Sequence, residues 1–211
     1  MKIAVVGASS TLGQKIVLEA EKQGISVISV TDTPTNMVGN GIVLIKSFDA
    51  LRSEDLEKCY AVIDLLSFAD PQSYADSVLP FEYLQKIITD RTRLIAQGQC
   101  IFLYVDRQRQ VRVYDTQREE IGKDRSLEAI YHSYLSVDFR RHPNWNILCP
   151  PLILDETGYS EDDFRINGDI LPVGINGSSY ISMQDYALGF VELLKRDDLK
   201  NCCCSVFDNS K

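Results

Sequence analysis

The segment that most constrains this 211-residue chain lies at its start. A short apolar run, Ile3-Ala4-Val5-Val6, ends in Gly7-Ala8-Ser9-Ser10-Thr11-Leu12-Gly13 and leads into Leu12, Ile16, Val17 and Ala20 at helical spacing. Gly24 follows as a stop signal, and a second apolar run covers residues 25–30. Strand, turn, helix and strand make a βαβ unit. In such a turn the free backbone N–H groups and the positive end of the helix dipole face an anion. Gly7 permits the turn, Gly13 allows close packing of helix on strand, and Ser9, Ser10 and Thr11 offer hydroxyl donors to a phosphate. The middle glycine of a Gly-x-x-Gly-x-x-Gly pattern is replaced by Ser10, whose side chain restricts the approach of a ligand to the backbone. The alternative for the same residues is a turn in which a Ser or Thr caps the helix and nothing binds.

Asp32 lies 19 residues beyond Gly13, at the end of the second strand. At that offset a carboxylate accepts hydrogen bonds from an adenosine ribose diol and repels a 2′-phosphate. No arginine stands between Gly24 and Ile45 to compensate, so NAD(H) is favoured over NADP(H). The alternative is an ordinary turn aspartate before Thr33-Pro34.

Further strand-like runs at 42–45, 61–66 and 94–96 are separated by stretches long enough for crossover helices, and this alternation implies a parallel sheet. A helix is expected within residues 80–90, with Phe81, Leu84, Ile87 and Ile88 on one face, and another across 126–141. Residues 101–105 and 111–114 suggest a small hairpin. Residues 145–149 form a strand stopped by Pro150-Pro151, and 157–179 are expected to be irregular. A helix near 184–195, capped by Ser182, and a last strand around 203–207 complete the chain. The expected fold is α/β, a Rossmann-type doubly wound, mainly parallel sheet, with a small irregular C-terminal region on the substrate side.

Composition bounds what such a chain does. With 45% hydrophobic residues, one core and a single domain over 1–211 are expected. The net charge of -8 and the absence of a Lys/Arg run argue against nucleic acid as a partner. No uncharged apolar stretch approaches the roughly 18 residues of a membrane span, and the opening apolar run is too short for a signal peptide. A cytoplasmic protein with reduced cysteines is expected. In the run Cys202-Cys203-Cys204, neighbours on a strand point to opposite faces, so they cannot converge on one ion and suit a core strand. No metal site is expected. His132 and His142 are expected at the surface, Glu161-Asp162-Asp163 in a solvated loop, Cys100 as a buried inert thiol and Trp145 in the core.

Three segments carry a family resemblance: Trp145-Asn-Ile-Leu-Cys-Pro-Pro151, Phe164-Arg-Ile-Asn-Gly-Asp169 and Ser179-Tyr-Ile-Ser-Met-Gln-Asp-Tyr-Ala187. Together with Leu103-Tyr-Val-Asp106, they resemble the NADH-flavin reductases, atypical short-chain dehydrogenases close to NmrA-like proteins, nearly end to end. The resemblance implies NAD(P) bound at the strand ends. Its contacts would come from Gly7, Ser9, Ser10, Thr11 and Leu12, from the strand end Leu65-Leu66-Ser67, from Gln97 and from Pro150-Pro151. Two departures stand out. Gln97-Gly-Gln-Cys-Ile101 replaces the relatives' Gly-Gly-Ala-Gly-Ser beside the nicotinamide, and Asp32 replaces an arginine carried by many of them.

None of the ten tyrosines has a lysine four residues later, the arrangement that lowers a tyrosine's pKa for proton donation in a short-chain dehydrogenase. A ketone or alcohol dehydrogenase of that kind is disfavoured, and no catalytic residue is assigned. Hydride transfer to a flavin or quinone asks less of the protein, because the acceptor is already electrophilic and water supplies the proton. The same lack also suits a non-catalytic, NmrA-like dinucleotide sensor that alters contacts with another protein. Sequence leaves both readings open.

Overall fold

A computed structural model describes residues 1–35, 37–69, 78–122 and 124–209. Eight strands form one sheet: β1 (Lys2–Val6), β2 (Ser26–Thr31), β3 (Ile42–Ile45), β4 (Ala61–Asp64), β5 (Arg93–Gln97), β6 (Trp145–Cys149), β8 (Phe164–Asn167) and β10 (Cys202–Asp208). Their order is β3-β2-β1-β4-β5-β6-β10-β8, with every pair parallel except β10 with β8. Two short strands, β7 (Ile153–Asp155) and β9 (Tyr180–Ser182), pair beside it. The helices are α1 (Thr11–Lys22), α2 (Ser53–Leu56), α3 (Pro80–Ile87), α4 (Val113–Thr116), α5 (Arg118–Ile121), α6 (Arg125–Ser136) and α7 (Met183–Leu193). This is the Rossmann-type α/β sheet that the alternation predicts.

The central strands carry near-continuous apolar runs, at 3–6, 61–63, 94–96 and 147–149, because both sheet faces are covered. On one face Ile16, Val17 and Ala20 of α1 and Tyr186, Phe190 and Val191 of α7 close over Ile3, Val5, Ile63, Ile95 and Leu148. On the other, Phe81 and Leu84 of α3 and Ile130, Tyr131 and Tyr134 of α6 close over Val6, Val62, Leu94 and Ile147. Phe102 stacks on Tyr134 at 4.2 Å and Trp145 on Phe139 at 4.4 Å, which puts Trp145 against the core as expected. The link from β2 to β3 contains no described helix. Instead the Glu21 carboxylate accepts the N–H groups of Asn40 (2.8 Å) and Gly41 (2.9 Å), pinning that link to α1.

Three expectations need correcting. Residues 164–167 lie inside the region expected to be irregular, yet they form β8 at the sheet edge; Ile166 faces the core while Arg165 and Asn167 are exposed. The expected hairpin shrinks to a single bridge between Tyr104 and Arg112. The Asp106 carboxylate takes the N–H groups of Gln110 and Val111, and the flanking residues form a 3-10 turn (Cys100–Phe102) and α4. His132 is exposed, but His142 is buried with Nε2 2.8 Å from the Thr92 carbonyl oxygen.

Arg93 was not singled out by sequence. It opens β5 fully enclosed, giving Nε to Asn146 Oδ1 (2.9 Å), Nη1 to the carbonyls of Leu193 (2.8 Å) and Arg196 (2.9 Å), and Nη2 to that of Leu199 (2.6 Å). A cation thus sits at the negative end of α7 and ties it to β5 and β6. No described helix is long and apolar enough to cross a membrane.

Candidate functional site: a cleft at the C-terminal ends of β1, β2 and β4

Strand order reverses at β1: the chain goes from β1 to β2 on one side and returns through β4 on the other. The turns that follow such neighbouring strands separate and leave a crevice. Here it is a cleft of about 490 Å³ lined by Gly7, Ser9 and Ser10 after β1, Val30, Thr31 and Asp32 at the end of β2, Lys46 to Asp49 after β3, and Leu66 after β4.

Gly7 has φ +88, a conformation that suits glycine, and a Cβ there would meet Leu66 Cδ2 at 3.0 Å and Leu65 Cβ at 3.2 Å. The turn therefore packs directly against Leu65 and Leu66, and Leu66 lines the cleft beside it. At Gly13 a Cβ would lie 2.6 Å from the Gly7 carbonyl oxygen and 2.8 Å from Ala8 Cα, so the helix packs directly on the turn. Ser10 caps α1: its Oγ accepts from Gly13 N (3.0 Å) and donates to the Gly7 carbonyl (2.8 Å). That hydroxyl is committed to the turn. Ser9 Oγ accepts from Thr31 Oγ1 (3.0 Å), tying the turn to β2. The N–H groups of Thr11 and Leu12 precede any i−4 partner within α1 and have none elsewhere among the described residues. They are unmatched donors at the positive end of the α1 dipole.

Asp32 is exposed on the cleft wall, with its Oδ1 accepting from Thr33 Oγ1 (3.1 Å). Beside it, the Lys46 N–H donates to the Thr31 carbonyl (2.9 Å), and Lys46 Nζ contacts both oxygens of Asp55 at 2.7 and 2.8 Å, a bond that holds the Asp55 carboxyl below the usual range. Phe48 sits edge-on to Tyr83, with ring centroids 5.8 Å apart. Lys46, Ser47 and Phe48 were not expected here. They reach the cleft only because β3 is the sheet edge beside β2.

The remaining expected residues have other surroundings. Leu12 and Leu65 are buried in the core. Ser67 is buried too: its Oγ donates to Asp64 and accepts from Phe81 N (2.7 Å), joining the end of β4 to the start of α3. Asp64, fully enclosed, also accepts from the N–H groups of Leu66 (2.9 Å) and Ser67 (3.2 Å). Burial pushes its pKa up, and these donors only partly offset it. Gln97, Pro150 and Pro151, at the ends of β5 and β6, are not among the residues lining the cleft. Cys100 is half-buried, with its thiol pKa pushed up by burial. On α6, Tyr131 stacks on Tyr114 at 3.7 Å, while the Tyr134 hydroxyl lies 3.4 Å from Arg112 Nη1 and 3.5 Å from Cys203 Sγ. Both are buried. Among the described residues no group of three or more His, Cys, Asp or Glu side chains forms a metal-type cluster.

No protein-family model matches the chain. A curated relative, the uncharacterized protein YwnB of Bacillus subtilis (strain 168), is 28% identical over 206 residues, which cover 95% of each chain. Among solved structures, "a putative NADH-flavin reductase" from Streptococcus pneumoniae superposes with a TM-score of 0.87 at 23% identity, covering 99% of both chains. A Rossmann-fold NAD(P)-binding family protein from Shigella flexneri superposes at 0.64 with 12% identity over 98% of this chain and 93% of the other. These superpositions show that the chain has the Rossmann fold of these proteins.

Proposed function

We propose that the cleft holds the adenosine and pyrophosphate of NAD(H), and that the protein is an oxidoreductase passing hydride to a small planar acceptor, a flavin or a quinone. The observation that carries this reading is the turn from Gly7, at φ +88, into α1, whose first N–H groups, on Thr11 and Leu12, have no partner among the described residues, with Asp32 on the adjoining cleft wall. Backbone donors and the α1 dipole suit a pyrophosphate, and the carboxylate suits a ribose diol. The cofactor supplies the hydride. The chain's own part is to bind and orient it: Leu66, which lines the cleft, would flank its path toward Gln97, Pro150 and Pro151, where the acceptor would lie. The acceptor takes two electrons with the hydride, and water supplies its further proton. The named activity of the pneumococcal neighbour supports the same reading.

Calorimetric titration with NAD+, NADH, NADP+ and NADPH tests it. Saturable binding is expected, tighter for the NAD pair, and Asp32→Ala should weaken NADH about tenfold, equivalent to about 1.4 kcal/mol. Absence of binding by all four forms refutes the reading. A second reading, a dinucleotide sensor without turnover, is favoured by the burial of Tyr131 and Tyr134 and by the commitment of Ser10 to its cap. Binding without oxidation of NADH across a flavin and quinone panel would select it.

A further inference from the structure

The alternation that parts Cys203 from its neighbours brings Cys202 and Cys204 onto one face of β10. Their Sγ atoms lie 3.7 Å apart. Asn146, paired with Cys202 across β6 and β10, directs Nδ2 at both sulfurs, 3.6 Å from Cys202 and 3.4 Å from Cys204. Its Oδ1 is gripped by Arg93 Nε at 2.9 Å and Nη2 at 2.5 Å. One amide therefore connects an enclosed guanidinium to a pair of thiols. Cys202 is half-buried and Cys204 completely buried, whereas Cys203 faces the other side, against Tyr134. The contact with Cys204 makes Cys202 the more acidic thiol, and the same contact with burial holds the Cys204 proton on. The pair sits at the start of β10, so it lies at the end of the sheet opposite the cleft.

We propose that Cys202 and Cys204 are a peroxide-reactive dithiol that closes to a disulfide within one strand. Cys202 thiolate attacks a hydroperoxide oxygen: an S–O bond forms, the O–O bond breaks, and the departing oxygen takes a proton to leave as water or an alcohol. Cys204 sulfur then attacks the sulfenic sulfur. The S–S bond forms, the S–O bond breaks, and the thiol proton leaves with the hydroxide as a second product, water. Two thiols are oxidised and one peroxide is reduced. Residues two apart on a strand have Cα atoms about 6.6 Å apart, at the upper end of the range of about 4.4–6.8 Å that a disulfide spans. Cys202 opens β10 directly after Asn201, whose φ is +54, so the closing movement falls at the strand's end.

The test uses the reduced full-length protein, exposed to hydrogen peroxide, denatured, alkylated and cleaved after Lys200. Fragmentation of peptide 201–211 should show an internal disulfide and an alkyl group on Cys203 alone. Cys204→Ser should abolish closure and leave Cys202 as a sulfenic acid that dimedone captures. Three alkylated cysteines, a disulfide containing Cys203, or closure that survives Cys204→Ser would each overturn the proposal.

Discussion

Asp64 shows how a single side chain is held where water cannot reach it. Its carboxyl shapes the exit from β4 by taking the Leu66 and Ser67 N–H groups and the Ser67 hydroxyl, and so sets one wall of the cleft. Burial raises its folded-state pKa above the unfolded value. The folded protein then binds more protons at this site than the unfolded chain, so the stabilising contribution is full below the unfolded pKa and is lost as pH rises through the folded one. Asp64→Asn removes that titration. Urea melts from pH 4 upward should show wild-type stability falling with pH relative to the variant, and parallel curves would contradict the assignment. Residues of this sort were poorly legible in the sequence. Gly7, Gly13 and Asp32 could be placed because a turn and its strand end are local, whereas Lys46 and Phe48 join the same cleft only through the position of β3 in the sheet.

At the level of elements, α7 is fastened at its C-terminal end by Arg93 arriving from β5. Ser182 caps the other end, accepting from Asp185 N at 3.0 Å, as its place before the helix predicted. An arginine at the start of a strand suggests solvent when read alone. Only the return of α7 over β5 and β6 encloses it, and that return is not local in sequence. The same difference separates the elements that were legible from those that were not. Periodic helices such as α1 and α6 and the unbroken apolar run of β1 announce themselves, while β8 is four residues in Asp-, Asn- and Gly-rich surroundings and exists because β10 offers it an edge. Arg93→Met keeps the apolar stem but leaves Asn146 Oδ1 and the carbonyls of Leu193, Arg196 and Leu199 without their donor. A loss of at least about 3 kcal/mol is expected, since buried acceptors left unmatched cost about 1–3 kcal/mol each. In urea this lowers the unfolding midpoint by about 1 M or more. An unchanged midpoint would mean that water replaces the guanidinium at little cost.

For the molecule as a whole, the two apolar clusters lie on opposite faces of one sheet and share its central strands, with β1, β4, β5, β6 and β10 contributing side chains to both or separating them by a single backbone layer. Neither face can open without exposing the other, so a single domain that unfolds as one unit is proposed for the full chain. The C-terminal part tests this most severely, because β7, β9 and the segment between β8 and β9 lie beside the sheet while α7 and β10 are built into it. Scanning calorimetry should give one endotherm whose calorimetric and van't Hoff enthalpies agree. With NADH at 100 times its dissociation constant, binding to the folded state alone adds about 2.7 kcal/mol. For a chain of this size each kcal/mol moves Tm by about 2–4 °C, so the endotherm should rise by about 5–10 °C. Because the cleft draws on β1, β2, β3 and β4 while the proposed acceptor side draws on β5 and β6, a shared unit must shift as one peak. Two peaks, of which NADH moves one, would instead divide the sheet into a nucleotide-binding half and a C-terminal half that fold separately.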